Sequence, residues 1–291
     1  MTMTPEQIAA LAAKAAQTTD HTETSSGTDW QPPVEGTTTL RFIEYIELGK
    51  QPQKPFQGKA KPDCEEVRMT FELLMNNKNR TDVREVEVDG VKKLVADRIS
   101  IKLAIKSGEK AVFKKLFDKM RRGRDNIHHM SQMLGEAFLG TVVHSKSTDG
   151  KVTYANLRDS DGAWTIRAPR IQKDPLDDDS WVDINVRPAI SPLKIFVWDL
   201  PNKECWDSLY IEGTRTVKDD KGVETEQSKN WIQERILSAT NYHGSPLEEL
   251  LNNIGGLSID PKTDDVLDGL PDEGAENFSG ATEDDLASLG M

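Results

Sequence analysis

The sequence predicts a mainly β protein with a few helices, built as a small, partly open β-barrel with a C-terminal elaboration and polar ends. Three observations lead there. Two-residue alternation recurs, most clearly where Val67, Met69, Phe71, Leu73 and Met75 alternate with polar residues as far as Glu72. The dipeptides Asp89-Gly90 and Asp149-Gly150 stand between strand-like segments, where tight hairpins favour them. A single strong helical stripe follows about four strands and precedes more.

Residues 1–33 read as a weakly helical Ala-rich segment and a polar linker, TTDHTETSSGTD. Thr37–Leu48 is β-branched and aromatic, a strand with Leu40, Phe42, Ile46 and Leu48 on one face and Ile43 and Tyr45 on the other. In LGKQPQKPFQGKAKP (Leu48–Pro62), Pro52, Pro55 and Pro62 break helix and ladder alike, which predicts a long loop. REVEVDGVKKLV reads as a hairpin, and RISIKLAI as a strand with Ile99, Ile101, Leu103 and Ile105 on one face. Ser107 is the expected N-cap of GEKAVFKKLFDKMRR, whose stripe is Val112, Phe113, Leu116, Phe117 and Met120, closed by Gly123.

GTVVHSKSTDGKVTYANLR is a second hairpin, and SKNWIQERILSAT and SPLEELLNNIG are two short Ser-capped helices. Short strands joined through one helix suit an OB-like barrel over residues 34–158. Residues 159–256 would then pack on it as an elaboration, with 159–230 inserted. The whole domain would span 34–256, followed by an acidic tail, 257–291, expected to be disordered.

Charge is segregated. The chain carries −12, but ten acids against Lys262 give residues 260–291 a charge of −9, leaving −3 for the rest. Within that body Arg98–Arg124 holds ten bases and two acids. Such asymmetry points to an anionic partner for the body and a separate task for the tail. No apolar run approaches 18 residues, so no membrane span is expected. The N-terminus lacks the pattern of a signal peptide, and the expected location is cytoplasmic.

Catalytic patterns are missing: no P-loop, dinucleotide Gly fingerprint, G-x-S-x-G or zinc-protease helix motif occurs. His128-His129 lacks the i, i+4 spacing of a ligand pair, and DPLDDDSWVD lacks the glycine of a calcium loop. Cys64 and Cys205 form neither a disulfide framework nor a metal pair by spacing. The expectation is a non-enzyme without cofactor or metal.

Single-strand binding needs cations along a phosphate backbone and aromatic faces for bases. Lys50, Lys54, Lys59 and Lys61 surround Phe56 in the long loop, with Tyr45 on the strand before it. Composition leaves this loop two readings, a basic arm beside a binding face or a solubilising connection with Phe56 in the core. Lys114, Lys115, Arg121, Arg122 and Arg124 belong to the basic helix and its exit, and Arg41, Arg68 and Lys102 lie on strands. Trp164, Trp181, Trp198, Trp206 and Trp231 offer stacking faces, although Trp beside apolar neighbours is more often core. In the tail, Glu283, Asp284 and Asp285 precede Leu286, Leu289 and Met291, an acidic stretch with small apolar anchors for a partner.

VEGTTTLRFIEYIELGKQPQKPFQGKAKPDCEEVRMTFELL (Val34–Leu74), FLGTVVHSKSTDGKVTYANL (Phe138–Leu157) and NYHGSPLEELL (Asn241–Leu251) together resemble single-stranded DNA-binding proteins of tailed bacteriophages. The shared features are a strand ending in Leu-Gly, a Pro/Lys/Gln/Phe-Gln-Gly-Lys loop and a strand ending Thr-Phe-Glu-Leu. The resemblance implies an OB-fold that coats single-stranded DNA in phage replication, recombination or repair inside an infected bacterium. It also implies an acidic tail that recruits replication or recombination proteins. The Leu-Gly-Met terminus departs from the aromatic or Pro-Phe tails of that family, which leaves the tail's partner open. Homo-oligomerisation on DNA is also open. The competing readings are a phage regulatory protein that binds a host enzyme such as RNA polymerase, and a β-rich virion structural protein.

Overall fold

A computed structural model describes residues 31–254 except 57, 89, 123, 148–149, 175, 178 and 219–223. The chain divides after Pro32, and all the described strands and helices belong to the unit that begins at Pro33. The expectations for the N-terminal segment and for the tail residues Glu283, Asp284, Asp285, Leu286, Leu289 and Met291 fall outside the described residues.

The described chain is mainly β. Strands β1 (Gly36–Phe56) and β2 (Lys59–Leu73) form one long antiparallel hairpin. The ladder β3 (Asn76–Asn77) with β4 (Arg80–Thr81) and the hairpin β5 (Val83–Val88) with β6 (Val91–Ala96) come next, and β7 (Arg98–Ala104) returns to pair with β2. Helix α1 (Val112–Arg121) and a 3-10 turn (Met130–Met133) lead to β8 (Ala137–Lys146), antiparallel to the start of β1. Strand β9 (Thr153–Asn156) pairs with β8, giving the order β7-β2-β1-β8-β9. No ladder joins β7 to β9 among the described residues, so the sheet is open, and the expected partly open OB-like barrel is not shown as a barrel.

The rest of the chain is built from small pieces. The hairpin β10 (Arg170–Gln172) with β11 (Trp181–Asp183) comes first, then β12 (Lys194–Phe196), which runs parallel to β1 at Glu44–Ile46. Helix α2 (Lys203–Ser208), the hairpin β13 (Thr214–Lys218) with β14 (Glu224–Ser228), and helices α3 (Trp231–Leu237) and α4 (Pro246–Asn253) complete it.

Three local expectations are corrected. The proline-rich stretch is not a loop but the far end of the β1–β2 hairpin. All three prolines fall where the pairing slips, between Gln51 and Gln53, between Gln53 and Phe56, and opposite them between Lys61 and Cys64. A bulge spares each proline from supplying an N–H it does not have. Second, two expected serine caps fail: Ala111 rather than Ser107 precedes α1, and Asn230 rather than Ser228 precedes α3, each without a side-chain cap bond. Third, the register skips Ile43 between Phe42 and Glu44. That extra residue reverses the alternation, because side chains change face at every step.

The reversal divides the apolar residues of β1 between two cores. Phe42 and Tyr45 join Met69, Phe71, Leu103, Leu116 and Phe138 in the main core. Ile46 and Leu48 instead face Phe196, Trp206, Ile232 and Leu247, the core of the C-terminal elaboration. Gly49 has φ +72°, and a Cβ there would stand 2.4 Å from Trp198, so the Leu-Gly step lets the strand pass beneath that indole.

Candidate nucleic-acid interface

Two concave surfaces flank α1, and their charge separates them. The first, about 250 Å³, lies at the base of the β1–β2 arm, where Glu47, Glu65, Glu66 and Asp199 meet Phe113, Phe117 and His129. Burial pushes the Glu47 carboxyl upward. Bonds to His129, the Trp198 N–H and the Tyr45 hydroxyl outweigh that and hold it below the usual glutamate range. A carboxylate-lined pocket repels phosphate.

The second is a groove of about 1050 Å³ between the end of α1 and the β10–β11 hairpin. Arg41, Lys119, Arg122, Arg124, Arg167 and Arg170 line it against only two acids, Glu136 and Asp183. Its walls are held by specific bonds. Arg41 donates from Nη1 to the Gly135 carbonyl (2.9 Å), from Nη2 to Val186 (2.7 Å) and from Nε to Arg187 (3.0 Å). One guanidinium thus ties the entry of β8 to the segment leaving β11. Arg167 exchanges both backbone bonds with Leu139 of β8, at 2.8 and 2.9 Å, and Ile184 N–H donates to the Pro169 carbonyl at 2.7 Å.

The cations differ in how they are engaged. Lys119 reaches the Trp164 carbonyl. Arg124 pairs with Glu136 at 2.5 Å and donates to the Met120 carbonyl at 3.0 Å. Arg170 lies over the Trp181 ring, 4.6 Å from its centroid. Arg122 and Arg167 are exposed and pair with no side chain among the described residues.

Of the expected binding residues, Arg41, Arg122 and Arg124 meet in this groove, although Arg41 spends its donors on carbonyls and acts as a strut. Tyr45 is buried, with its hydroxyl donating to Glu47 at 2.7 Å, so no base can reach its ring. Burial and the Glu47 charge push its pKa far upward. Arg68 is also structural: it pairs with Glu44, donates to Ser100 Oγ at 2.7 Å and lies over Trp231. Lys102 sits opposite it on β7, half-buried.

Lys114 pairs with Asp118 one turn on, Lys115 is exposed, and Arg121 covers the Phe117 ring at 5.5 Å. Lys50 and Lys59 are exposed on the arm, and Lys61 is half-buried there. The side chains of Lys54 and Phe56 lie outside the described part of the structure. Among the tryptophans, Trp164, Trp198 and Trp206 are buried in the cores, whereas Trp181 is 45% exposed.

Lys119, Arg167 and Arg170 complete the groove and are absent from the set of binding residues that sequence reasoning finds, while Trp181 enters that reasoning only as one of five stacking faces. One sequence signal does set Trp181 apart, since it follows an acidic run rather than apolar neighbours. No group of three or more His, Cys, Asp or Glu side chains forms a metal site among the described residues, and none of the described helices is long and apolar enough to cross a membrane. Comparison with protein-family models, curated proteins and solved structures finds no match to this chain.

Proposed function

We propose that the chain is a sequence-tolerant single-stranded DNA-binding protein whose strand lies in the groove between α1 and the β10–β11 hairpin. The observation that carries this is the convergence there of six cations from three separate parts of the chain against two acids. Cations lining a groove attract a phosphate backbone without reading sequence. The strand order β7-β2-β1-β8-β9, with α1 in the β7-to-β8 connection, supports an OB-like scaffold left open between β7 and β9.

A role in phage replication, recombination or repair follows from the resemblance in Val34–Leu74. The acidic residues of 260–291 suit both partner recruitment and competition with DNA for the groove. Fluorescence anisotropy of the full-length protein with labelled oligo-dT, over a range of salt, tests the reading. Binding that weakens steeply with salt is expected, and absence of binding at low salt would refute it.

A further inference from the structure

We infer that the β10–β11 hairpin is the base-contacting element of the groove, with Trp181 stacking an unpaired nucleobase of single-stranded DNA and Arg170 clamping that stack. This rests on the groove being the DNA path and adds what the cations alone cannot supply, a means of telling single strand from duplex.

Four observations lead to it. Trp181 is 45% exposed, while Trp164, Trp198 and Trp206 are at most 8% exposed, so the fold leaves this indole at the surface. The pairs Arg170–Asp183 and Gln172–Trp181 flank Ile171–Val182 in the ladder. Arg170, Trp181 and Asp183 therefore share the face that lines the groove, and Ile171 and Val182 point the other way. The Arg170 guanidinium already lies 4.6 Å from the indole centroid, a planar cation that holds the ring through one π face. The hairpin is also anchored at its base, by the Ile184-to-Pro169 bond and by Arg41 holding Val186 and Arg187, so the indole is positioned before DNA arrives.

Bases in a duplex are stacked on one another and withhold their faces, whereas an unpaired base offers one to an indole. The groove cations attract either form of DNA, and the indole then favours the single strand. This assigns a task to one hairpin of the 159–230 region, which forms a two-stranded sheet of its own beside the central one.

The test uses full-length protein and follows both anisotropy and tryptophan fluorescence. Affinity for oligo-dT and for a duplex of equal length is measured across a range of salt for Trp181→Ala, Trp181→Phe and Arg170→Gln. Trp181→Ala should weaken oligo-dT binding about tenfold, leave duplex binding unchanged and keep the parent's salt slope. Trp181→Phe should retain most of the affinity and lose the fluorescence quench. Arg170→Gln should weaken both and flatten the salt slope. Wild-type affinity in Trp181→Ala, or an equal loss for oligo-dT and duplex, would overturn the assignment while leaving the groove as the binding site. Failure of the parent protein to bind either DNA would overturn both.

Discussion

Replacing Arg122 and Arg167 together by glutamine should flatten the salt dependence of oligo-dT binding without unfolding the protein. Six cations line the groove, but Arg41 is committed to three carbonyls and Lys119 to the Trp164 carbonyl. Arg122, Arg167 and Arg170 remain to meet phosphate, and Arg124 becomes a fourth contact by exchanging its Glu136 partner for one. For single strands each phosphate contact contributes about −0.7 to the slope of log affinity against log salt, so four contacts give about −2.8. Affinity then falls roughly 50-fold between about 50 and 200 mM salt. With two contacts removed the slope becomes about −1.4 and the same change costs only about sevenfold. Both side chains are exposed and hold no described side chain, so thermal unfolding should stay within about 0.5 kcal/mol of wild type. Anisotropy titrations at four or five salt concentrations measure the slope directly. An unchanged slope in a folded double variant would show that the strand does not use this groove.

Three further outcomes are expected. Glu136→Gln removes the carboxylate paired with Arg124 and should tighten oligo-dT binding about two- to fivefold at low salt, an effect that fades at high salt. Gly49→Ala forces a Cβ into Trp198 at a left-handed φ and should cost about 2–4 kcal/mol in denaturant unfolding. The Glu47 carboxyl, held below its ordinary 4.5 in the folded state, contributes stability above that value and loses it as pH falls through its lowered pKa. Acid titration of unfolding should therefore show a smaller loss below about pH 4.5 in Glu47→Gln than in wild type.

What the sequence revealed was local. Asp89-Gly90 and Asp149-Gly150 mark hairpins β5–β6 and β8–β9 because turn chemistry needs only neighbouring residues, and Gly90 and Gly150 adopt the positive φ such turns require. The stripe of α1 places Leu116 and Met120 in the core, and Ser245 caps α4 by accepting from the Glu248 N–H at 3.2 Å. Strand β1 could not be read in the same way. One bulged residue at Ile43 sends Tyr45 inward and Ile46 toward the elaboration, and alternation carries no mark of a skipped pair. The prolines of the arm were legible as breakers, but not as residues lodged in register slips. The groove was the least legible feature. Arg122 and Arg124 stand out in a basic run, whereas Arg167, Arg170 and Trp181 join them through contacts such as the Arg41 strut and the Arg167–Leu139 backbone bonds, which pair residues far apart in sequence.

The most direct test of the groove is photo-cross-linking of the full-length protein to an oligo-dT substituted with 5-bromodeoxyuridine, followed by mass-spectrometric mapping of the attached peptides. Cross-links within 119–124 and 167–183, with Trp181 foremost, are expected if the strand lies in the groove. Cross-links confined to the β1–β2 arm around Lys50 and Lys59, with none in those two segments, would contradict it.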